Sequence, residues 1–460
     1  MADSSDVKGA ERATNTGQRE MWGSRWGFVM AAVGSAVGLG NMWRFPYTVS
    51  EGGGAAFVVL YIVFVLLMGI PLMLSELSIG RRTHLSPMGA LRSAGSARWV
   101  PLGFIFVLVG VLILSFYSVI SGWTIRYAAE ALVQGFPEDP AGHFGAISEG
   151  WASAGLHLLF MLITVGIVTV GIQKGIERAV VTLMPVLALI LVGLALWAAT
   201  QDGAGAGYAF YLSPDMGDLL DPGIVVAAAG QAFFSLSLGM GAILTYASYL
   251  SKKENLNRES VTISFSDFGI AFLAGLVVFP IIASQGLTEQ VDESAVGALF
   301  IALPAAFEAM GGVGQVVGAL FFVALGLGAL TSAISLLEVV TSSVIDEFKL
   351  PRKKAAYLMG ALITMLGFGS AYSTDFLGLL DAITGEFLLS LGAFLTVVFV
   401  GWVMRNPEEE LLTGASGRFT HMVPYVMVLV RYVLPVVLLL VLLFSVDEAW
   451  GAVRDFFAGG

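Results

Sequence analysis

The chain has 460 residues, 57% hydrophobic and 12% charged, with mean hydropathy +0.84. Soluble domains carry about 25% charged residues, so this composition belongs in a bilayer. The net charge of −11, with acids mostly in loops, argues against nucleic-acid binding, and the lack of cysteine excludes disulfides, thiolate metal sites and cysteine nucleophiles.

Residues 1–20 are polar and lack the apolar core of a signal peptide, which predicts a mobile cytoplasmic tail. Apolar runs long enough to cross a membrane then follow. Eleven are predicted, at about 25–47, 55–79, 100–130, 156–172, 177–199, 223–250, 262–284, 313–346, 355–372, 377–404 and 422–445. A shorter amphipathic stretch, 295–309, is assigned to an outer loop. His84, His143, His157 and His421 show no metal-ligand spacing, and there is no GxxxxGK[ST] loop for ATP.

Loop charges set the orientation. Cations follow the even-numbered spans: Arg81, Arg82, Arg92 and Arg98; Lys174 and Arg178; Lys252, Lys253 and Arg258; Lys349, Arg352, Lys353 and Lys354; Arg405 and Arg418. The alternate loops carry Glu138, Asp139, Asp202, Asp215, Asp218, Asp221, Glu289, Asp292 and Glu293. The N-terminus is therefore expected in the cytoplasm and the C-terminus outside.

Within the first span, residues 34–46 read GSAVGLGNMWRFP, and within the sixth, residues 231–241 read QAFFSLSLGMG. Broken helix at membrane depth is tolerated only where protein buries it or water fills a cavity beside it. Glycine and serine also serve close helix packing. Two such segments five spans apart, one with Asn41, favour a midplane site in an inverted-repeat transporter.

The chain resembles the neurotransmitter:sodium symporter family, with its LeuT-type fold. The resemblance runs from about Arg19 to Pro435. It rests on residues 34–46, GGGAAF (52–57), GIPLMLSELSIGR (69–81), GIQKGIER (171–178), GQAFFSLSLGMGAILTYASYL (230–250) and GALTSAISLLE (328–338). It implies an all-α integral membrane protein with a 5+5 inverted repeat and broken helices one and six. The division is a tail (1–20), a ten-helix core (21–404, with repeats at about 25–199 and 223–404) and a peripheral helix and tail (405–460). The family commonly has twelve spans; this chain reads one short at its C-terminal end.

By the same resemblance, substrate contacts are Ser35, Ala36, Gly38, Leu39 and Gly40 in span one, and Ile113 and Tyr117 in span three. Phe234, Ser235, Ser237 and Met240 follow in span six, and Ser332 and Leu336 in span eight. Monoamine carriers in the family place an aspartate where Gly38 stands, whereas glycine suits a substrate bringing its own carboxylate. Met240, unbranched and adaptable, suggests room for bulky apolar side chains. Alone, Tyr117, Phe234 and Met240 also read as core packing.

Sodium prefers oxygen ligands. The resemblance implies a first sodium site at Ala36, Asn41, Ser235 and Asp267, and a second at Gly34, Val37, Gly328, Thr331 and Ser332. Thr331 and Ser332 alone also read as hydroxyls bonding their own helix. Animal relatives have asparagine at the position of Asp267 and a chloride ion nearby. The Asp267 charge thus stands in for chloride, unless it lies in water at the inner end of span seven.

The implied outer gate is Arg44 with Asp381 above Tyr117 and Phe234. The inner gate is Arg19 with Asp346, surrounded by Trp22, Ser248 and Tyr249. Glu76 is expected to hold backbone amides of the broken span six. Gly175 and Pro185 match a span-five motif in which proline weakens the helix.

The implied activity is sodium-coupled import of amino acids, hydrophobic ones foremost, across the inner membrane of a bacterial-type cell. Two sodium ions and no chloride are expected. The rival readings are a carrier of another small zwitterion or osmolyte, and a non-transporting sensor or channel. No nucleophile–base set marks an enzyme.

Overall fold

The computed structural model describes residues 20–286 and 295–458, which are helical with no strand among them. Arg19, the polar tail and the acids Glu289, Asp292 and Glu293 lie outside the described residues. The first predicted span is interrupted. It consists of α1 (Arg25–Ala36), an extended Val37, a π-helical turn at Gly40–Arg44 and α2 (Phe45–Glu51). Next come α3 (Ala55–Thr83), α4 (Val100–Val133), α5 (Gly150–Val170) and α6 (Arg178–Ala198). The sixth predicted span is also interrupted, as α7 (Pro222–Ser235) and α8 (Ala242–Ala247). Then follow α9 (Leu256–Ser284), α10 (Gly312–Phe348), α11 (Arg352–Tyr372), α12 (Thr374–Val403) and α13 (Gly417–Ala458).

Among the described residues, nine helices are long and apolar enough to cross a membrane. The two interrupted segments fall outside that set because each half is short. The stretch 295–309 is helical, ending in Leu303–Ala309.

Local chemistry explains where the helices begin. Ser24 caps α1 by accepting from the Gly27 N–H. Asp221 accepts from Gly223 and Ile224 N–H, and Pro222 occupies the first turn of α7, where no N–H is required. Asn255 caps α9 through the Arg258 N–H.

Breaking a helix in a buried place strands backbone groups, and each stranded group needs a partner. At the second break the partner is Glu76 of α3. Its carboxylate is fully buried and accepts from Gly239 N–H at 2.7 Å and Leu244 N–H at 3.2 Å. The chain turns there through Ser237, Gly239 and Gly241, all at positive φ. A Cβ on Gly239 would lie 2.4 Å from the Leu389 carbonyl, so both conformation and space demand glycine.

α4 and α10 pack along each other, and α10 carries α1 and α8 against it. At one end, α3 is tied to the segment before α13. Buried Arg81 donates to the Glu410 carboxylate at 2.6 Å, to the Glu410 carbonyl and to the Glu254 carbonyl. Lys252 joins the same carboxylate at 2.9 Å.

Candidate functional site

The two breaks meet. The Ser237 hydroxyl, in the second, donates to the Ser35 carbonyl, beside the first, at 2.7 Å. A cavity opens at this meeting point. It is lined by Ser35, Ala36, Gly38, Leu39, Gly40, Ile113, Tyr117, Phe234, Ser235, Ser237, Met240, Ser332 and Leu336. The structure therefore gathers all thirteen residues singled out above around one space. Trp43, Phe116, Ser335 and Asp381 complete the wall.

The wall has a polar floor and apolar sides. Ser35 donates to Ser335 at 2.8 Å, and the Leu39 N–H donates to the Tyr117 hydroxyl at 3.1 Å. Gly38 sits where nothing larger fits. A Cβ there would lie 2.4 Å from Ser332 Oγ and 2.6 Å from the Tyr117 oxygen. An aspartate at this position would displace both hydroxyls.

Beside the cavity, oxygen atoms collect around Asp267. This carboxylate is fully buried in α9, not in water at the helix end. Asn41 Nδ2 donates to its Oδ1 at 2.7 Å, Ser235 Oγ to its Oδ2 at 2.8 Å and Tyr61 to Oδ2 at 3.3 Å. Asn41 Oδ1 accepts from the Gly38 N–H at 3.1 Å. Among the described residues its hydrogen-bond partners are neutral donors, and a hard cation would balance the charge that they leave on it.

A second oxygen cluster lies between α1 and α10. The Ser332 hydroxyl reaches across to the carbonyls of Gly34 (3.4 Å), Ser35 (3.1 Å) and Val37 (3.2 Å). Thr331 instead bonds back within its helix, to the Gly328 carbonyl at 2.9 Å. A Cβ on Gly34 would lie 3.0 Å from Thr331 Cβ, so α1 and α10 touch at these residues. The cluster contains carbonyl and hydroxyl oxygens without formal charge, which fits a monovalent cation.

Above the cavity, the Arg44 guanidinium lies 4.4 Å from the centre of the Phe234 ring. At the opposite end, Asp346 accepts from the Ser86 N–H at 2.7 Å. Trp22 donates its indole N–H to the Tyr246 carbonyl at 2.9 Å, and its main-chain N–H to the Tyr249 carbonyl at 3.1 Å. The Tyr249 hydroxyl donates to Glu338 Oε1 at 2.6 Å, and Glu338 forms a fork with Arg352 at 2.7 and 2.9 Å.

A model of the sodium:neurotransmitter symporter family matches residues 19–145 and 144–453. The chain belongs to the sodium:neurotransmitter symporter family. It is thus a multi-pass, sodium-dependent membrane transporter and not an enzyme. The chain is 35% identical to an uncharacterized sodium-dependent transporter of Methanocaldococcus jannaschii, over 84% of this chain and 82% of that one. It is also 35% identical to the uncharacterized sodium-dependent transporter YhdH of Bacillus subtilis, over 92% and 96%. The crystal structure of MhsT in complex with L-phenylalanine superposes with a TM-score of 0.83, at 37% identity, covering 93% of this chain and all of that one.

For this symporter, reading the sequence missed Tyr61, Trp43, Phe116, Ser335 and the Glu338–Arg352 fork. Tyr61 lies in the run AAFVVLYIVF, where an aromatic reads as packing. Glu338 was visible as the only acid in the middle of a long apolar span, and buried acids need partners.

Proposed function

We propose that this chain imports hydrophobic amino acids with two sodium ions, by alternating access and without chloride. The observation that carries the reading is the cavity at the meeting of two helix breaks, flanked by two oxygen clusters. Helix breaks offer backbone N–H groups to a carboxylate and C=O groups to an ammonium. Glycine at position 38 lets the Tyr117 hydroxyl come up to the Leu39 N–H at the cavity wall, where it can also meet the substrate's own carboxylate. Ile113, Phe116, Phe234, Met240 and Leu336 form an apolar wall suited to a bulky side chain. The relative solved with L-phenylalanine supports the same class.

In this mechanism Asn41, Ser235, Asp267 and the Ala36 carbonyl hold the first sodium. The substrate carboxylate completes that shell, so ion and substrate stabilise each other. Gly34, Val37, Gly328, Thr331 and Ser332 hold the second and clamp α1 to α10. Asp267 supplies the negative charge that a chloride would otherwise provide. Arg44 and Asp381 close over Tyr117 and Phe234, and Arg19 with Asp346 closes the cytoplasmic side. The chain lies in the cytoplasmic membrane, and its positive loops support an N-terminus in the cytoplasm and a C-terminus outside.

The test is thermal stabilisation of detergent-purified protein by each of the twenty amino acids, in sodium and in choline. Leucine, isoleucine, methionine, phenylalanine or tryptophan raises the melting temperature in sodium alone. Stabilisation by an osmolyte or a small ω-amino acid instead, with none by these five, overturns the substrate assignment.

A further inference from the structure

α5 and α6 are joined by the turn at Gly171, and both lean on α10. A groove runs between them, sharing no lining residue with the central cavity. Its walls are Leu162, Ile163, Gly166, Val170 and Leu183, with Leu330 of α10 at its base. Leu162 and Val170 are 62% and 57% exposed. A Cβ on Gly166 would meet nothing within 4 Å. The segment Ile172–Ala198 is the least covered by protein of the nine candidate spans, at 28% buried. An apolar groove of this kind in a membrane protein opens to lipid.

One end of the groove is different. Lys174 and Arg178 line it at the loop that the charge pattern assigns to the cytoplasm, and both are exposed. Neither takes part in an ion pair among the described residues. The neighbouring acids are turned elsewhere. Glu177 accepts from Gly23 N–H at 2.7 Å and Ser24 Oγ at 2.8 Å. Glu20 accepts from Ile172 N–H at 2.7 Å and lies 3.5 Å from Arg352. The groove is therefore apolar along its length and cationic at one end. That is the complement of an amphiphile with an anionic head.

We propose that this groove holds one anionic phospholipid of the cytoplasmic leaflet, its phosphate on Lys174 and Arg178 and an acyl chain along Leu162 and Gly166. Anionic headgroups are drawn to basic residues at this depth, and the long aliphatic stem of lysine lets its charge reach the interface. Gly175 also lines the groove. It lies in the π-helical turn Ile172–Glu177, ten residues before Pro185 in α6. The lipid packs against that turn.

The experiment is native mass spectrometry of the purified full chain, exchanged through equal mixtures of phosphatidylglycerol and phosphatidylethanolamine. Wild type retains one phosphatidylglycerol per chain, in at least tenfold preference. Lys174→Gln with Arg178→Gln abolishes that preference. Gly166→Phe, at a position where an added Cβ meets nothing within 4 Å, fills the groove and abolishes retention. Inorganic phosphate does not displace the lipid from wild type. Melting curves identify folded variants; if the double variant does not fold, Gly166→Phe decides alone. Retention of phosphatidylglycerol by folded Gly166→Phe at the wild-type level overturns the proposal. So does the absence of headgroup preference in wild type, or displacement by phosphate alone. Retention is read without substrate or sodium, so it stands or falls separately from the transport reading.

Discussion

Gly38 shows how much a single position decides. Without a Cβ it lets the Ser332 and Tyr117 hydroxyls close in on the first break; a Cβ there would lie 2.4 and 2.6 Å from them. Gly38→Ala is expected to abolish sodium-dependent thermal stabilisation by leucine while the fold melts within a few degrees of wild type. Met240 lines the same cavity from the other side. Met240→Phe is expected to weaken phenylalanine and tryptophan binding more than leucine binding, read from competition against radiolabelled leucine. Equal weakening of all three would mean that Met240 packs behind the site. Asp267→Asn removes the one charge in the Asn41–Ser235–Tyr61 ring. Wild-type binding is expected to persist when gluconate replaces chloride, and the variant is expected to need chloride or to lose binding. Asn41, Ser235 and Asp267 were grouped by motif resemblance, and they also stand out because polar residues at mid-span are expensive. Tyr61 was not legible, because a tyrosine among valines and leucines carries no sign of where its hydroxyl points.

At the scale of elements, the breaks were legible because glycine and serine runs depart from apolar helix composition. One group that satisfies a broken end was legible too. Glu76 was expected to hold amides of the sixth span, and its two acceptor bonds at Gly239 and Leu244 do so. Leaving a buried N–H unsatisfied costs about 1–3 kcal/mol. Glu76→Ala is expected to lower stability by roughly twice that, on the order of 2–6 kcal/mol, and to abolish substrate binding. Glu76→Gln keeps one acceptor oxygen and should fall between, as read by thermal unfolding in detergent. The last helix runs to Ala458, beyond the apolar run that ends near 445. Hydropathy marks where a helix leaves the membrane, not where its hydrogen bonding stops. The Arg81–Glu410 tie was invisible for a related reason. The partners lie 329 residues apart, and each reads alone as a loop charge.

At the scale of the molecule, the proposed cycle rests on two gates and two ions. Arg44 over Phe234 and Asp381 in the cavity wall lie at the end proposed to face outward. Distance labels on α2 and α12 are expected to report a wider outer distribution without sodium, narrowing when sodium and leucine are added together. One unchanging distance under all conditions would remove the gate. The architecture was legible because the hydropathy period and the alternation of loop charge act over tens of residues. The central cavity was not readable from either, because it depends on which helices cross. It came from motif resemblance, and the geometry brings the same residues together. Two sodium ions with a zwitterion carry two positive charges inward. A potential of 100 mV then supplies about 2.3 kcal/mol per charge.

Uptake of radiolabelled leucine into proteoliposomes of the purified chain tests this account most directly. With sodium outside, potassium inside and valinomycin setting an inside-negative potential, leucine is expected to accumulate well above its external concentration. A potential of 100 mV alone supports an inside-to-outside ratio on the order of a thousandfold. Replacing sodium by choline should abolish accumulation, collapsing the potential should reduce it, and replacing chloride by gluconate should leave it unchanged. Accumulation that persists in choline, or no sodium-dependent uptake of leucine or any other hydrophobic amino acid, would contradict the account.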